Sequence, residues 1–176
     1  MNVTQRLEVE QAVEQAEREF GQIDILINNA GIVAGKRFLE TPPEAMLRVM
    51  DVNAISHFWT NRAVLPGMIK RRNGHIVSIA SIAGQVGVCG LVDYSASKFA
   101  AVSRVSRAVL PPLTNVLKFG INESIRMEMR YNPQTRGRIH TTTVCPFYIN
   151  TGMFDGVQSR FPLLLPILDQ VLADMN

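Results

Sequence analysis

Tyr94 and Lys98 stand four residues apart in the segment DYSASKFAAV, a spacing that puts both side chains on one face of a helix. A free phenol has a pKa of about 10 and exchanges protons poorly at neutral pH. An ammonium group beside it favours the phenolate and brings the phenol toward a useful range. The pair could thus give or take a proton. An isolated Tyr-x-x-x-Lys also fits a surface tyrosine above a solvated lysine, so the elements around it must decide.

Those elements alternate between helix and strand. Thr4 can cap a helix from about Gln5 to Phe20, with Glu8, Glu10 and Glu14 toward its positive end and Gly21 closing it. Asp24 to Asn28 (DILIN) is a compact strand that ends in Asn29-Ala30-Gly31. Pro43 suits a helix start, and the helical pattern runs to about Ile69 with a break near Asp51; Asn73-Gly74 stops it. His75 to Ala80 (HIVSIA) predicts a second strand, followed by a loop carrying Gly84, Gly87 and Gly90. A third strand spans about Arg138 to Cys145 and stops at Pro146. Alternation without hairpin turns predicts an α/β fold, a Rossmann-like, doubly wound parallel sheet covered on both faces. Ligands of such sheets sit beyond the carboxyl ends of the strands. Here those ends carry Asn28 to Gly31, Ser78 to Ser81, and Pro146 to Thr151.

The neighbours of the Tyr–Lys pair carry a resemblance. Ser81 lies thirteen residues before Tyr94 at a strand's carboxyl end, Asn53 lies within a helix, and Asn28-Asn29-Ala30-Gly31 closes the first strand. In this order and spacing the four motifs resemble the short-chain dehydrogenase/reductase family, from residue 1 to about 170. The resemblance implies a catalytic set of Asn53, Ser81, Tyr94 and Lys98. Tyr94 would exchange a proton with the substrate oxygen, Ser81 would stabilise charge developing on it, and Lys98 would hold the nicotinamide ribose hydroxyls. Asn53 would position a water linking Lys98 to solvent. Cofactor contacts, to NAD or NADP, would come from Asn2, Val3, Asn28, Ala30, Gly31, Tyr94, Lys98, Pro146, Ile149 and Thr151. Asn2 stands where the family more often has aspartate, and Phe147 where many members have glycine.

Phe58-Trp59-Thr60, Gly74 to Val77, Cys145 to Phe147 and Thr151 to Phe154 are similar to the branch holding epidermal retinal, retinol and related hydroxysteroid dehydrogenases. That branch implies a small lipophilic alcohol or carbonyl substrate, such as a retinoid or steroid, and full-length relatives anchored at the endoplasmic reticulum or lipid droplets. A complete member begins with a strand, a Gly-rich turn and a helix that cradle the pyrophosphate, so the chain is expected to be an N-terminally truncated single domain. Removing Ser103 to Phe119 would join YSASKFAAV to GINESIRMEM in one amphipathic helix. These seventeen residues, with Pro111-Pro112 among them, therefore read as an insertion. A homodimer through the helices of Asn53 and Tyr94 would be weakened by it. A catalytically silent chain, or a partner for a full-length subunit, is the alternative.

Composition sets the remaining bounds. At 176 residues, 47% hydrophobic and 19% charged, the chain can bury one core. Its net charge of +3 is scattered apart from Lys70-Arg71-Arg72, with no basic, aromatic-interleaved stripe for nucleic acid. Cys89 and Cys145 read as reduced thiols, and His57, His75 and His140 lack metal-ligand spacing. No apolar run approaches the roughly 18 residues of a membrane span, and a cytoplasmic location is expected for this chain. The apolar stretch Phe161 to Leu168 fits core, a lid over substrate or a shallow membrane contact.

Overall fold

The structure, a computed structural model, describes residues 1–102 and 120–147. The proposed insertion, the apolar stretch from Phe161, and two of the expected cofactor contacts, Ile149 and Thr151, lie outside the described residues.

Helix α1 (Arg6–Phe20) ends on Gly21, whose positive φ of 85° lets its N–H return to the Glu17 carbonyl. Its start differs from expectation. Thr4 makes no cap; its N–H and Oγ1 both donate to the Asn2 side chain, while the Asn2 N–H donates to Glu8. Strand β1 (Ile25–Asn28) leads to α2 (Pro43–Met50), which begins on a proline as helix starts tolerate. The predicted break is a π-turn at Asp51–Ile55, after which α3 (Ser56–Arg71) completes the long helical segment. Strand β2 (Gly74–Ile79), α4 (Val92–Ala101), α5 (Ile121–Tyr131) and β3 (Ile139–Val144) follow.

The three strands form a parallel sheet in the order β1-β2-β3, with Asn28 beside Ser78 and Ser78 beside Thr143. The main core lies on one face: Ile76 and Ile139 of the sheet meet Val64 and Met68 of α3 and Met129 of α5, with Val13 of α1 at the margin. Gly74 is required there, because a Cβ would fall 2.4 Å from the Met68 sulfur. Coverage of both faces was expected, yet among the described residues helices pack on this face alone. Alternation turns Ile25, Ile27 and Val144 to the other face, where they stay 58%, 59% and 40% exposed. The open edge of β1 agrees with the absence of a neighbouring strand in the described chain.

The helical segment after Tyr94 is divided as its prolines require. α4 closes at Val102, whose extended backbone leaves the helix, and α5 starts behind Gly120. The two ends touch. A Cβ on Gly120 would lie 1.9 Å from the Val102 carbonyl oxygen, so only glycine fits against α4. On the reading that Ser103 to Phe119 is an insertion, a chain joining Val102 directly to Gly120 should keep the fold. It should unfold at equal or higher urea concentration, since closing a loop of that length costs about 2–3 kcal/mol of entropy. Equilibrium unfolding of the two chains measures this.

Candidate active site

The carboxyl ends of β1 and β2 and the first turns of α4 converge. Ser81 follows β2 directly and is extended, with its Oγ accepting from the Ala83 N–H at 3.2 Å. This starts a short turn that brings Gly84 against α4, where a Cβ would meet the Lys98 carbonyl oxygen at 2.6 Å. The close approach sets the Ser81 side chain near enough to the Tyr94 phenol to lower its pKa. Tyr94 packs against Ala83, Leu91, Val33 and Val88 and is buried.

Lys98 is buried one turn along α4, with Nζ 5.6 Å from the Tyr94 ring centroid and donating to the Ile79 carbonyl at 2.9 Å. The loop after β1 forms the opposite wall: a Cβ on Gly31 would stand 3.4 Å from Lys98 Nζ and 3.6 Å from Asn53 Oδ1. Asn53 is fully buried in the π-turn, and its amide links three elements. Oδ1 accepts from Ile32 N–H at 2.8 Å; Nδ2 donates to the Ile32 carbonyl at 2.9 Å and to Ser97 Oγ at 3.0 Å. Ser97 in turn donates to the Tyr94 carbonyl at 2.7 Å. All four residues of the expected catalytic set thus group between the strand ends and α4.

The expected cofactor contacts separate into groups. Ala30 and Gly31 line the loop beside Lys98 and are half-buried. Asn28 points instead into the α3 face: its Nδ2 donates to Asn61 and its Oδ1 accepts from Thr60. Pro146 reaches the cleft through its carbonyl, which accepts from Ile82 N–H at 2.9 Å. Asn2 and Val3 form the turn ahead of α1, with the Asn2 side chain engaged by Thr4.

Electrostatics depart from the simplest expectation. Burial pushes the Tyr94 phenol above its ordinary value, against a smaller lowering by the Ser81 hydrogen bond. Burial brings Lys98 down to about 8, with Cys145 acting in the opposite sense. Lys98 remains mostly an ammonium at pH 7 but does not draw the phenol down here.

A further buried residue, His57, escaped the sequence reading because only metal spacing was sought. The signal was there: Asn53, His57 and Asn61 recur every four residues on the buried face of an otherwise apolar helix. Burial, and then the Lys98 charge, hold His57 down to about 4. The unfolded imidazole therefore binds more protons than the folded one between pH about 6.5 and about 4, so stability falls as pH falls through that window. A His57→Phe chain should lose that part of the acid destabilisation, and thermal unfolding across that range in both chains measures it.

Comparison with known proteins agrees with this arrangement. The family model described as short chain dehydrogenase matches residues 1–110. The chain is 46% identical over 170 residues to human (Homo sapiens) epidermal retinol dehydrogenase 2, covering 97% of this chain and 49% of the relative. It is 43% identical over 168 residues to short-chain dehydrogenase/reductase family 16C member 6 of Bos taurus, covering 96% and 47%. The chain spans about half the length of these curated relatives. Among solved structures, ligand-free Thermoplasma acidophilum aldohexose dehydrogenase superposes with a TM-score of 0.68 at 25% identity, over 85% of this chain and 49% of that one. With its Ser–Tyr–Lys cleft at the rim of a parallel sheet and these matches along its length, the chain belongs to the short-chain dehydrogenase family, in its retinol dehydrogenase branch.

Proposed function

We propose that the chain carries the proton-transfer centre of an oxidoreductase that interconverts a lipophilic alcohol, such as a retinoid or steroid, and its carbonyl compound. The observation that carries this reading is the buried grouping of Ser81, Tyr94 and Lys98, with Lys98 Nζ 5.6 Å from the Tyr94 ring centroid. A substrate oxygen placed between Ser81 and Tyr94 would meet two hydroxyls, one to exchange its proton and one to stabilise developing charge. Exposed Val86, Val92 and Phe147 give the surroundings an apolar rim that suits a greasy substrate. The retinol dehydrogenases among the relatives favour a retinoid over a steroid.

The residues present fit the nicotinamide half of NAD or NADP. Lys98 uses one donor on Ile79 and keeps two for ribose hydroxyls, and Gly31 lies next to it, where an added Cβ would stand 3.4 Å from Nζ. Ala30, Gly31, Tyr94, Lys98 and Pro146 would form this side of the site, with Ile149 and Thr151 contributing from beyond the described residues. Asn28 would act by fixing the strand end, and Asn2 and Val3 would lie toward the adenine. When bound, the nicotinamide supplies or accepts the hydride. In carbonyl reduction Tyr94 gives its proton to the substrate oxygen while Ser81 donates a hydrogen bond; in alcohol oxidation the phenolate takes the proton. Lys98 would hold the ribose hydroxyls beside Tyr94, and Asn53 keeps α4 in place against the Gly31 loop.

A second reading, a catalytically silent chain that pairs with a complete subunit, draws on the uncovered sheet face and the open edge of β1. Titration of the purified chain with NADH and NADPH, followed by Trp59 fluorescence, separates the two. Saturable binding at micromolar concentrations supports the first reading; no saturation by either cofactor supports the second.

Tyr94→Phe should then keep cofactor affinity and lower turnover by at least about 10²-fold, as expected for loss of a positioned acid/base. Because the phenol is raised, alcohol oxidation should speed up with pH from neutral into the alkaline range, measured as initial rates with saturating cofactor.

A further inference from the structure

The amino-terminal end of the sheet carries groups that the Tyr94–Lys98 centre does not use. There α5 and the start of β3 border a cleft of about 470 Å³ whose polar walls are Arg126, Arg130, Arg136, His140 and Thr141. None of the described residues that line it is acidic. The catalytic grouping lies at the other end of the strands: the cleft sits at the residues that open β3, whereas Ser81 follows the carboxyl end of the neighbouring β2. Six residues of strand, roughly 20 Å, separate the two ends.

Helix geometry and turn chemistry put the guanidinium groups there. Arg126 and Arg130 are four apart on α5 and share a face. Glu123 accepts from Arg126 Nε at 2.6 Å and from its Nη2, so this arginine is fixed and its charge is matched. Among the described residues Arg130 and Arg136 have no carboxylate partner. Arg130 lies with its guanidinium carbon 6.0 Å from the Tyr131 ring centroid, a contact that uses none of its N–H donors.

Cations near a helix C-terminus often serve only its free carbonyls. Here those are taken: Asn132 N–H donates to the Glu128 carbonyl, and Gly137 N–H and Thr135 Oγ1 donate to that of Met129. The arginines are not needed as caps. Arg136 goes further, because its φ of 46° lies in the left-handed region and Gly137 follows at 75°. Fully buried Thr135 and the Arg136 N–H on the Asn132 carbonyl impose that backbone. Glycine would take the position without strain. Arginine takes it at a cost, and its side chain lines the cleft.

We propose that this cleft binds a phosphate monoester. Two arginines without carboxylate partners match a dianion in charge, and their planar forks match phosphate oxygens in geometry. A carboxylate would leave one of the two charges unmet. His140 and Thr141 add side-chain donors at the strand end. A soluble phosphate ester and the headgroup of phosphatidic acid both present this chemistry.

The test titrates the full chain with sodium phosphate and with glycerol 3-phosphate, following the Gly137 and Thr141 amide signals by NMR. Both probes should saturate. Arg130→Ala and Arg136→Gly should each weaken binding at least about tenfold, as expected for loss of a charge-assisted pair. Arg136→Gly removes the strained residue along with the guanidinium, so this variant stays folded even if Arg130→Ala does not. Arg138→Ala, a neighbouring charge that does not line the cleft, should leave the affinity unchanged. Co-sedimentation with vesicles assigns the source, using equal parts of phosphatidylcholine and phosphatidic acid, or of phosphatidylcholine and phosphatidylserine. Retention on the first alone, lost in Arg136→Gly, identifies the lipid headgroup; retention on neither, with both soluble probes saturating, identifies a soluble ester. Failure of the phosphate probes to saturate would overturn the proposal. So would equal weakening by Arg138→Ala or equal retention on both vesicles, since either is the mark of unspecific charge. No readout involves cofactor or turnover, so the result is independent of the dehydrogenase reading.

Discussion

One asparagine holds the site together. Asn53 lies in the π-turn between α2 and α3, and its amide reaches both the loop after β1 and, through Ser97, the first turn of α4. Buried hydrogen bonds of this kind are modest in net worth, about 1 kcal/mol each, but leaving their polar groups unmade costs more. The arrangement is therefore close to all-or-none. With it intact, Gly31, Tyr94 and Lys98 border one space. Without it, the Lys98 hydrogen bond to Ile79 would have to hold this side of α4 to the sheet.

The same economy of space explains the glycines and the burial. Gly84 lets the turn after β2 meet α4, and Gly31 brings the loop after β1 up to the Lys98 ammonium. Close approach excludes water, and exclusion raises the phenol while lowering the ammonium. The effects act on different groups but have one origin, the cost of charge in a dry site. An anionic Tyr94 and a cationic Lys98 would stabilise one another, so the free centre is poised for a proton exchange that a bound substrate oxygen completes. The α3 face below, with Asn28, Asn61, Thr60 and His57, supplies polar support that an apolar core could not give.

Much of this was legible in the sequence, and the exceptions have physical causes. Strands declared themselves by β-branched runs stopped at Asn-Ala-Gly, a Gly-rich loop or Pro, and the long helical segment by Pro43 and Asn73-Gly74. The Tyr94–Lys98 spacing was enough to place both on one face. Thr4 looked like a cap, but the helix begins one residue later than that requires, with Gln5 at the cap position, and Thr4 turns back to Asn2. Asn28 sat at a strand end where ligands bind, but period two along the strand turns its side chain inward toward α3. The pull of Lys98 on the phenol was overestimated because spacing conveys proximity and not burial. One-sided coverage of the sheet follows from right-handed crossovers among these three strands, which place their helices on the same side.

The account stands most directly on a crystal structure of the chain grown with NADH. It predicts the nicotinamide ribose hydroxyls on Lys98 Nζ, the ring against the Gly31 loop, and the Ser81 and Tyr94 hydroxyls facing the same side of the ring. A cofactor bound elsewhere, or bound with Ser81 and Tyr94 turned to separate surfaces, would contradict it.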